Sequence, residues 1–316
     1  MFVYDKAFME LRSKYLIPIA NYSVSYNHLR NMNIKNIILT KSKAIDVLND
    51  NEYIFHFDES DILKGLLGDI ELFYIRQVIQ RRDAEICGGL RISANWNIVT
   101  NYYRAFFTAS LMLRLCHRGN IFFDKELKRN IEKLISNVTG NVIRLDSNQF
   151  YEVDKINDEF VLKIVPMKDG THELVWKKMD ELINQMLLLT RKKTDEALVL
   201  GEIKKINDKL KNTYPSQLRN RVNYQPLYGL EYLDKNLFHI NKKISWIEQL
   251  LNFENTDNDN EIGCYMYAYT KYMEHFCLNF IAEYYNIRGN ENGIIKHLNK
   301  NCEIEMLDKL ESKYNF

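Results

Sequence analysis

Glycine and proline are scarce in this sequence, at 12 and 4 of 316 residues. That excludes collagen-like chains and the Pro/Gly-rich class of disordered ones. Cysteine is sparse as well. The five, Cys87, Cys116, Cys264, Cys277 and Cys302, are odd in number and form no CxxC pair. A disulfide framework and a zinc ribbon therefore have no support, and the natural setting is reducing. Net charge is almost absent, because 43 basic and 42 acidic residues leave +1. No global field draws the chain to nucleic acid or to an anionic membrane, so any such site must be local. No stretch reaches the roughly 18 consecutive apolar residues of a membrane span; the best candidate, Ala105 to Cys116, is broken by Arg114. The start of the chain has a lone Lys6, scattered acids and Pro18 where a signal peptide has a charged start and an apolar block. A cytoplasmic protein is expected. GxGxxG, P-loop and GxSxG motifs are missing too, which leaves nucleotide-binding and serine-hydrolase classes without positive evidence.

What is present is long helical periodicity, with 46% hydrophobic and 27% charged residues and a usage of Asn, Lys, Ile and Tyr typical of an AT-rich genome. The expected fold is mostly α: a helical bundle with a small β insertion and a mixed N-terminal extension. Residues 1–57 form the extension, with a helix over Tyr4 to Tyr15 ended by Pro18 and a short strand over Asn36 to Thr40. Residues 58–287 form the main helical domain. Asp58, Glu59, Ser60 and Asp61 supply cap oxygens and first-turn acids for a helix over about Ile62 to Arg82, stopped at Gly88–Gly89. From Trp96 to His117 two apolar stripes run side by side: Trp96, Val99, Tyr103, Phe106, Ser110, Leu113 and Ile98, Tyr102, Ala105, Ala109, Met112, Cys116. A helix so dressed sits inside a bundle, with Gly119 as its stop. Asp124 to Asn137 is a further amphipathic helix. The β insertion covers about 141–166, with strands at Val142 to Asp146 and Phe160 to Val165. Helical spacing returns from His172 to Lys211 with a break near Thr190 to Thr194; Tyr214 and Pro215 interrupt it. Helices follow over Lys242 to Phe253 and Glu261 to Tyr285, and residues 288–316 form a helical tail.

Two segments carry a resemblance. Trp96-Asn97-Ile98-Val99-Thr100-Asn101-Tyr102-Tyr103-Arg104-Ala105-Phe106-Phe107, with the leucine-rich end Leu111 to Gly119, is similar to the second helix of the HEPN superfamily. Leu218-Arg219-Asn220-Arg221-Val222-Asn223-Tyr224 resembles that family's Arg-Asn-x-x-x-His motif. The match covers roughly residues 60–285. The resemblance implies a helical domain of a prokaryotic anti-phage defence or toxin–antitoxin system, acting as a homodimer or inside a hetero-oligomeric complex, with RNA as ligand. It also implies a metal-independent endoribonuclease needing no cofactor and no metal. Arg219 would stabilise the phosphorane, since a guanidinium meets phosphate oxygens through two parallel donors. Asn220 and Tyr224 would orient the scissile phosphate, and Arg221 and Asn223 would bind the ligand nearby. The sequence departs from the motif at Tyr224, where the family has His. A phenol with an ordinary pKa of about 10 is a poor general base at neutral pH but still donates a hydrogen bond. His117, at the end of the preceding motif's helix, is one replacement for the missing base. The alternative reading is a non-catalytic structural or adaptor subunit docking an ATPase or nuclease partner, for which the lost His and the rich aromatic content argue. An antitoxin-like binding module is a third.

Other signals are weaker. The histidines His28, His56, His117, His172, His239, His275 and His297 include no i, i+4 pair, so spacing gives no metal site. Asn255 to Glu261 stacks oxygen ligands but has Asn260 and Met266 where a calcium loop needs Gly and Glu. Asp195 with Glu202-Ile203-Lys204 has the residue order of metal-dependent nucleases but falls in helical spacing. Tyr102, Tyr103, Phe106 and Phe107 read as core packing before they read as stacking platforms for bases.

Overall fold

The computed structural model describes residues 6–24, 28, 31–49, 52–89, 94–225, 245–253 and 259–288. The expected helical tail from residue 289 on, residues 254–258 of the oxygen-rich run and residues 226–244 lie outside them. The described elements are α1 (Lys6–Leu11), a π-helical turn (Arg12–Leu16), α2 (Ile17–Ala20), α3 (Ile34–Lys41), β1 (Ala44–Asn49), β2 (Glu52–His56), α4 (Glu59–Gly89), α5 (Ala94–Leu115), β3 (Arg118–Phe122), α6 (Lys125–Thr139), β4 (Asn148–Ile156), β5 (Glu159–Pro166), α7 (Thr171–Leu189), α8 (Asp195–Leu210), α9 (Tyr214–Tyr224), α10 (Trp246–Leu251) and α11 (Asp259–Arg288). The protein is mostly helical with one small antiparallel sheet. Among the described residues no helix is long and apolar enough to cross a membrane.

Local chemistry explains most boundaries. Asp124 caps α6 by accepting from the Leu127 N–H, and Gly140 closes it at φ 73°, so Leu127, Ile131 and Ile135 share one buried face. Thr194 caps α8 by accepting from Ala197, which fixes the break between α7 and α8. A reciprocal Ser245–Glu248 capping box opens α10. Pro18 does not end the first helix. It falls in the first turn of α2, where its missing N–H costs nothing, behind the π-helical turn. Residues 36–40 form a helix and not a strand: Asn33 caps α3 through the Asn36 N–H, and Ile34, Ile37 and Ile38 have helical spacing on the buried side. That helix sits close to α4, where a Cβ on Gly68 would overlap the Met32 carbonyl.

The sheet is larger than the insertion read from the sequence. Its order is β1-β2-β5-β4-β3, every pair antiparallel. Residues 142–146 are irregular, and the strands that complete the sheet come from 44–56 and 118–122. Tyr53 pairs with Ile164 and Ile164 with Tyr151, and this row faces the helices. Gly119 does not stop α5. It lies in β3 opposite Tyr151, where a Cβ would come within 2.9 Å of the ring. The left-handed residue that ends α5 is His117, at φ 58°.

Helix α5 is the axis of the bundle, packed by α4, α7, α9 and α11. Both its stripes are buried except Trp96 in the first turn, 61% exposed, and the partly buried Tyr103. Burial extends to its arginines. Arg104 donates from Nε and Nη2 to the two Glu274 oxygens of α11, each at 2.7 Å, and Gln77 of α4 donates to the same carboxylate. Arg114 stacks 3.4 Å from the Phe73 ring centroid and lies 3.7 Å from Asp69, which accepts from the Tyr151 hydroxyl. The first network joins α5 to α4 and α11, and the second joins it to α4 and the sheet.

Burial alone would raise the Glu274 pKa; the charges of Arg104 and Lys271 and the Arg104 hydrogen bonds more than reverse this and hold it below its ordinary value. Its contribution to stability is thus present above the ordinary glutamate range and is lost as pH falls through it. Urea unfolding of Glu274→Gln should show a loss of about 3–5 kcal/mol, because Arg104 is left buried without its counter-charge. The double variant Arg104→Met/Glu274→Leu should lose less than Glu274→Gln does.

Candidate functional site

The two segments singled out in the sequence meet in space. Pro215 sits in the first turn of α9, whose buried residues are Tyr214, Pro215, Ser216, Leu218 and Val222. This lays the helix on α5 and brings Arg219 over two rings of the first segment: its guanidinium carbon is 5.3 Å from the Tyr102 centroid and 5.9 Å from that of Tyr103. Such distances are attractive for a cation on an aromatic face. The Arg219 Nε is buried and has no hydrogen-bond partner. Among the described residues no carboxylate pairs with it, unlike Arg104 and Arg114.

A histidine completes the arrangement, and it is His172, in the first turn of α7. Its Nδ1 lies 2.6 Å from the Tyr102 hydroxyl, which lies 3.3 Å from Ser216 Oγ of α9. The His172 ring packs 4.3 Å from Phe106, with Tyr103 at 6.3 Å. Burial, then the nearby Arg219 charge, lower the His172 pKa below its ordinary value, so the imidazole is neutral at neutral pH. Burial likewise raises the Tyr102 phenol, which stays protonated. Two proton arrangements satisfy this chain. When Tyr102 donates to Ser216 and accepts from His172 Nδ1–H, the His172 Nε2 lone pair is available as a base. When Tyr102 donates into Nδ1, Nε2 carries the proton and is a donor. A bare guanidinium beside an imidazole able to work in either sense can hold a phosphate oxygen and move a proton next to it.

The remaining residues expected from the sequence are distributed around α9. Asn220, Arg221, Asn223 and Tyr224 are exposed, Tyr224 at 72%. Asn223, four residues after Arg219, is on its side of the helix; Arg221 is on the other. The motif's residues therefore do not converge, and only Arg219 reaches the aromatic floor. His117 is not the missing histidine. It lies fifteen residues beyond Tyr102, about 22 Å along the helix axis, and is buried edge-on to Tyr15 with its centroid 5.0 Å away. Burial pushes its pKa down to about 4, so it is neutral and no partner for the helix dipole. Glu202-Ile203-Lys204 is helical, and Lys204 pairs with Asp180 and Asp208. Among the described residues no group of three His, Cys, Asp or Glu stands together as a metal site. Sequence reading passed over His172 because its partner Tyr102 is 70 positions away; its place at the start of a helix after the β hairpin was the available signal.

In an NMR titration His172 should have a midpoint below the ordinary value of about 6.5. Arg219→Gln should raise that midpoint without fully restoring it, since burial is the larger cause. A scan against family models, a search of curated proteins and a search of solved structures each find no match to this chain.

Proposed function

We propose that this protein binds RNA and cleaves it by metal-independent chemistry at Arg219 and His172, as a HEPN-like component of a prokaryotic anti-phage defence or toxin–antitoxin system. The observation that carries the reading is the half-buried Arg219 cation, without a carboxylate, held on the rings of Tyr102 and Tyr103 next to a neutral imidazole. A built positive site with no counter-charge among the described residues calls for an external anion, and the pairing of guanidinium and imidazole suits a phosphodiester. The resemblance of both segments to HEPN motifs points to RNA as the source of that phosphate.

In this reading His172 Nε2 takes the proton of the ribose 2′-hydroxyl, and the 2′-oxygen attacks the adjacent phosphorus. Arg219 stabilises the charge on the phosphorane. The P–O5′ bond then breaks and the leaving oxygen takes a proton from water, giving a 2′,3′-cyclic phosphate and a 5′-hydroxyl. Tyr102 and Ser216 orient the imidazole. Asn223 contacts flanking backbone on the Arg219 side, while Asn220, Arg221 and Tyr224 contact the strand and take no part in the proton transfer. The exposed Tyr224 also supports a second reading, an adaptor surface for a protein partner.

Purified protein incubated with RNA in EDTA should yield products ending in 2′,3′-cyclic phosphate. Arg219→Ala should lower the rate by at least about a hundredfold, the scale on which loss of one transition-state donor is felt, while keeping its circular dichroism. Inertness of the folded wild type would remove the nuclease and leave the adaptor reading.

A further inference from the structure

Glu71, in the middle of α4, is a buried carboxyl that the Arg219 site does not use. It is 2% exposed, and neither of its oxygens has a hydrogen-bond partner. It lines a cavity with room for about one water molecule. Tyr74 of α4, Tyr284 and Tyr285 of α11, and Leu16 and Ile19 of the N-terminal arm close that cavity. In the arm, residues 6–24, a six-residue helix, the π-helical turn and a four-residue helix follow one another as one unbroken helical stretch over 6–20. A helix of this length is marginal on its own and owes its stability to packing. It is held to the body by the Arg12–Glu283 and Lys14–Asp154 pairs, by the Tyr284 hydroxyl donating to the Tyr22 carbonyl at 3.0 Å, by the Ala7 N–H on Glu196, by Phe8 against Phe276 and Phe280 and Tyr15 against His117, and by the buried apolar face of Leu11, Leu16, Ile19 and Ala20.

We propose that Glu71 is a proton-controlled latch for this arm: protonated, it tolerates closure of Leu16 and Ile19 over the cavity, and ionised, it drives the arm open. The wall that yields is the arm, because α4 and α11 are long helices joined through Gln77, Glu274 and Arg104, whereas the arm covers the carboxyl with one π-helical turn and one short helix. π-Helical turns of this kind recur where helices serve function over regularity.

The groups facing the cavity do not compensate a charge on Glu71. From α4 there is Tyr74, and from α11 Tyr284 and Tyr285. The arm lines the cavity with Leu16 and Ile19 only; its Tyr15, and Arg12, which pairs with Glu283, are outside the lining, and Lys14 is exposed. From the end of α5 there is Leu115; Cys116 and His117, next in the chain, are buried outside the lining. Burial pushes the Tyr74 phenol up to about 12 and His117 down to about 4, so neither changes charge between pH 5 and 9. Burial raises the Glu71 carboxyl to about 8. With the arm open the carboxyl returns to its ordinary value, about 4.3. Closure is therefore fully favoured below that value. Opening grows about tenfold per pH unit up to about pH 8 and then levels off.

Amide hydrogen exchange between pH 6 and 9, expressed as protection factors, tests this. Amides of residues 12–22 should lose about tenfold protection per pH unit up to pH 8 and then plateau. They should stay well below the protection of the amides around Leu111 and be insensitive to low urea. Glu71→Gln should give arm protection that does not change with pH. Arm amides as protected as the centre of α5 at every pH, or a pH dependence retained in Glu71→Gln, would overturn the latch. None of these outcomes depends on RNA cleavage.

Discussion

The bidentate Arg104–Glu274 pair is the constraint on which the arrangement of helices depends. Two charges fully removed from water are tolerable only when geometry and additional hydrogen bonds satisfy them, and here two 2.7 Å bonds and Gln77 do so. The pair admits one axial register of α5 against α11, since a slip of one residue would leave a guanidinium in the core facing apolar side chains. Tyr102 and Tyr103 directly precede Arg104 in the chain, so fixing Arg104 fixes the rings over which Arg219 rests. Arg114 and Asp69, further along α5, pin the other end to α4 and the sheet through Tyr151.

Set against those two arginines, Arg219 differs in kind. Arg104 and Arg114 each have a carboxylate within 4 Å. Arg219 has aromatic faces below it and a neutral histidine beside it. The rings attract the cation without neutralising it, and the lowered basicity of His172 leaves Arg219 the charged member of the pair at neutral pH. Among the described residues the site thus has a positive charge without a counter-charge, in a molecule whose formal charge is only +1. That is the local concentration of charge which the overall composition requires of any nucleic-acid site in this chain.

Much of the helical frame was legible in the sequence, and for identifiable reasons. α6 announces itself by amphipathic spacing from Asp124 on, α5 by its double stripe, and α7 and α8 by helical spacing that breaks at 190–194, where residues prefer to bond their own backbone. Strands β1 to β3 were not legible. β1 and β3 are short edges, β3 pairing with β4 only across the whole of α6, and Gly119 reads as a helix stop until Tyr151 is seen to need its space. The run at 36–40 looked extended because its isoleucines are β-branched, whereas their spacing and Asn33 favour a helix. In the candidate site, Arg219 was legible from its motif, whereas Tyr102 and Tyr103 read as core packing and not as the floor beneath it. It offered Tyr224 and His117 for the histidine's role because both are near the motifs in sequence; His172 arrives from a helix between the two motifs, and only the packing of α7 on α5 brings it in.

The central claim is that Arg219 and His172 act as one unit. The direct measurement is a double-mutant cycle on RNA cleavage in EDTA, comparing wild type, Arg219→Ala, His172→Ala and the double variant. Groups serving one transition state are strongly non-additive, so each single variant should fall nearly to the rate of the double. Full activity in His172→Ala, or losses that simply multiply, would contradict the account.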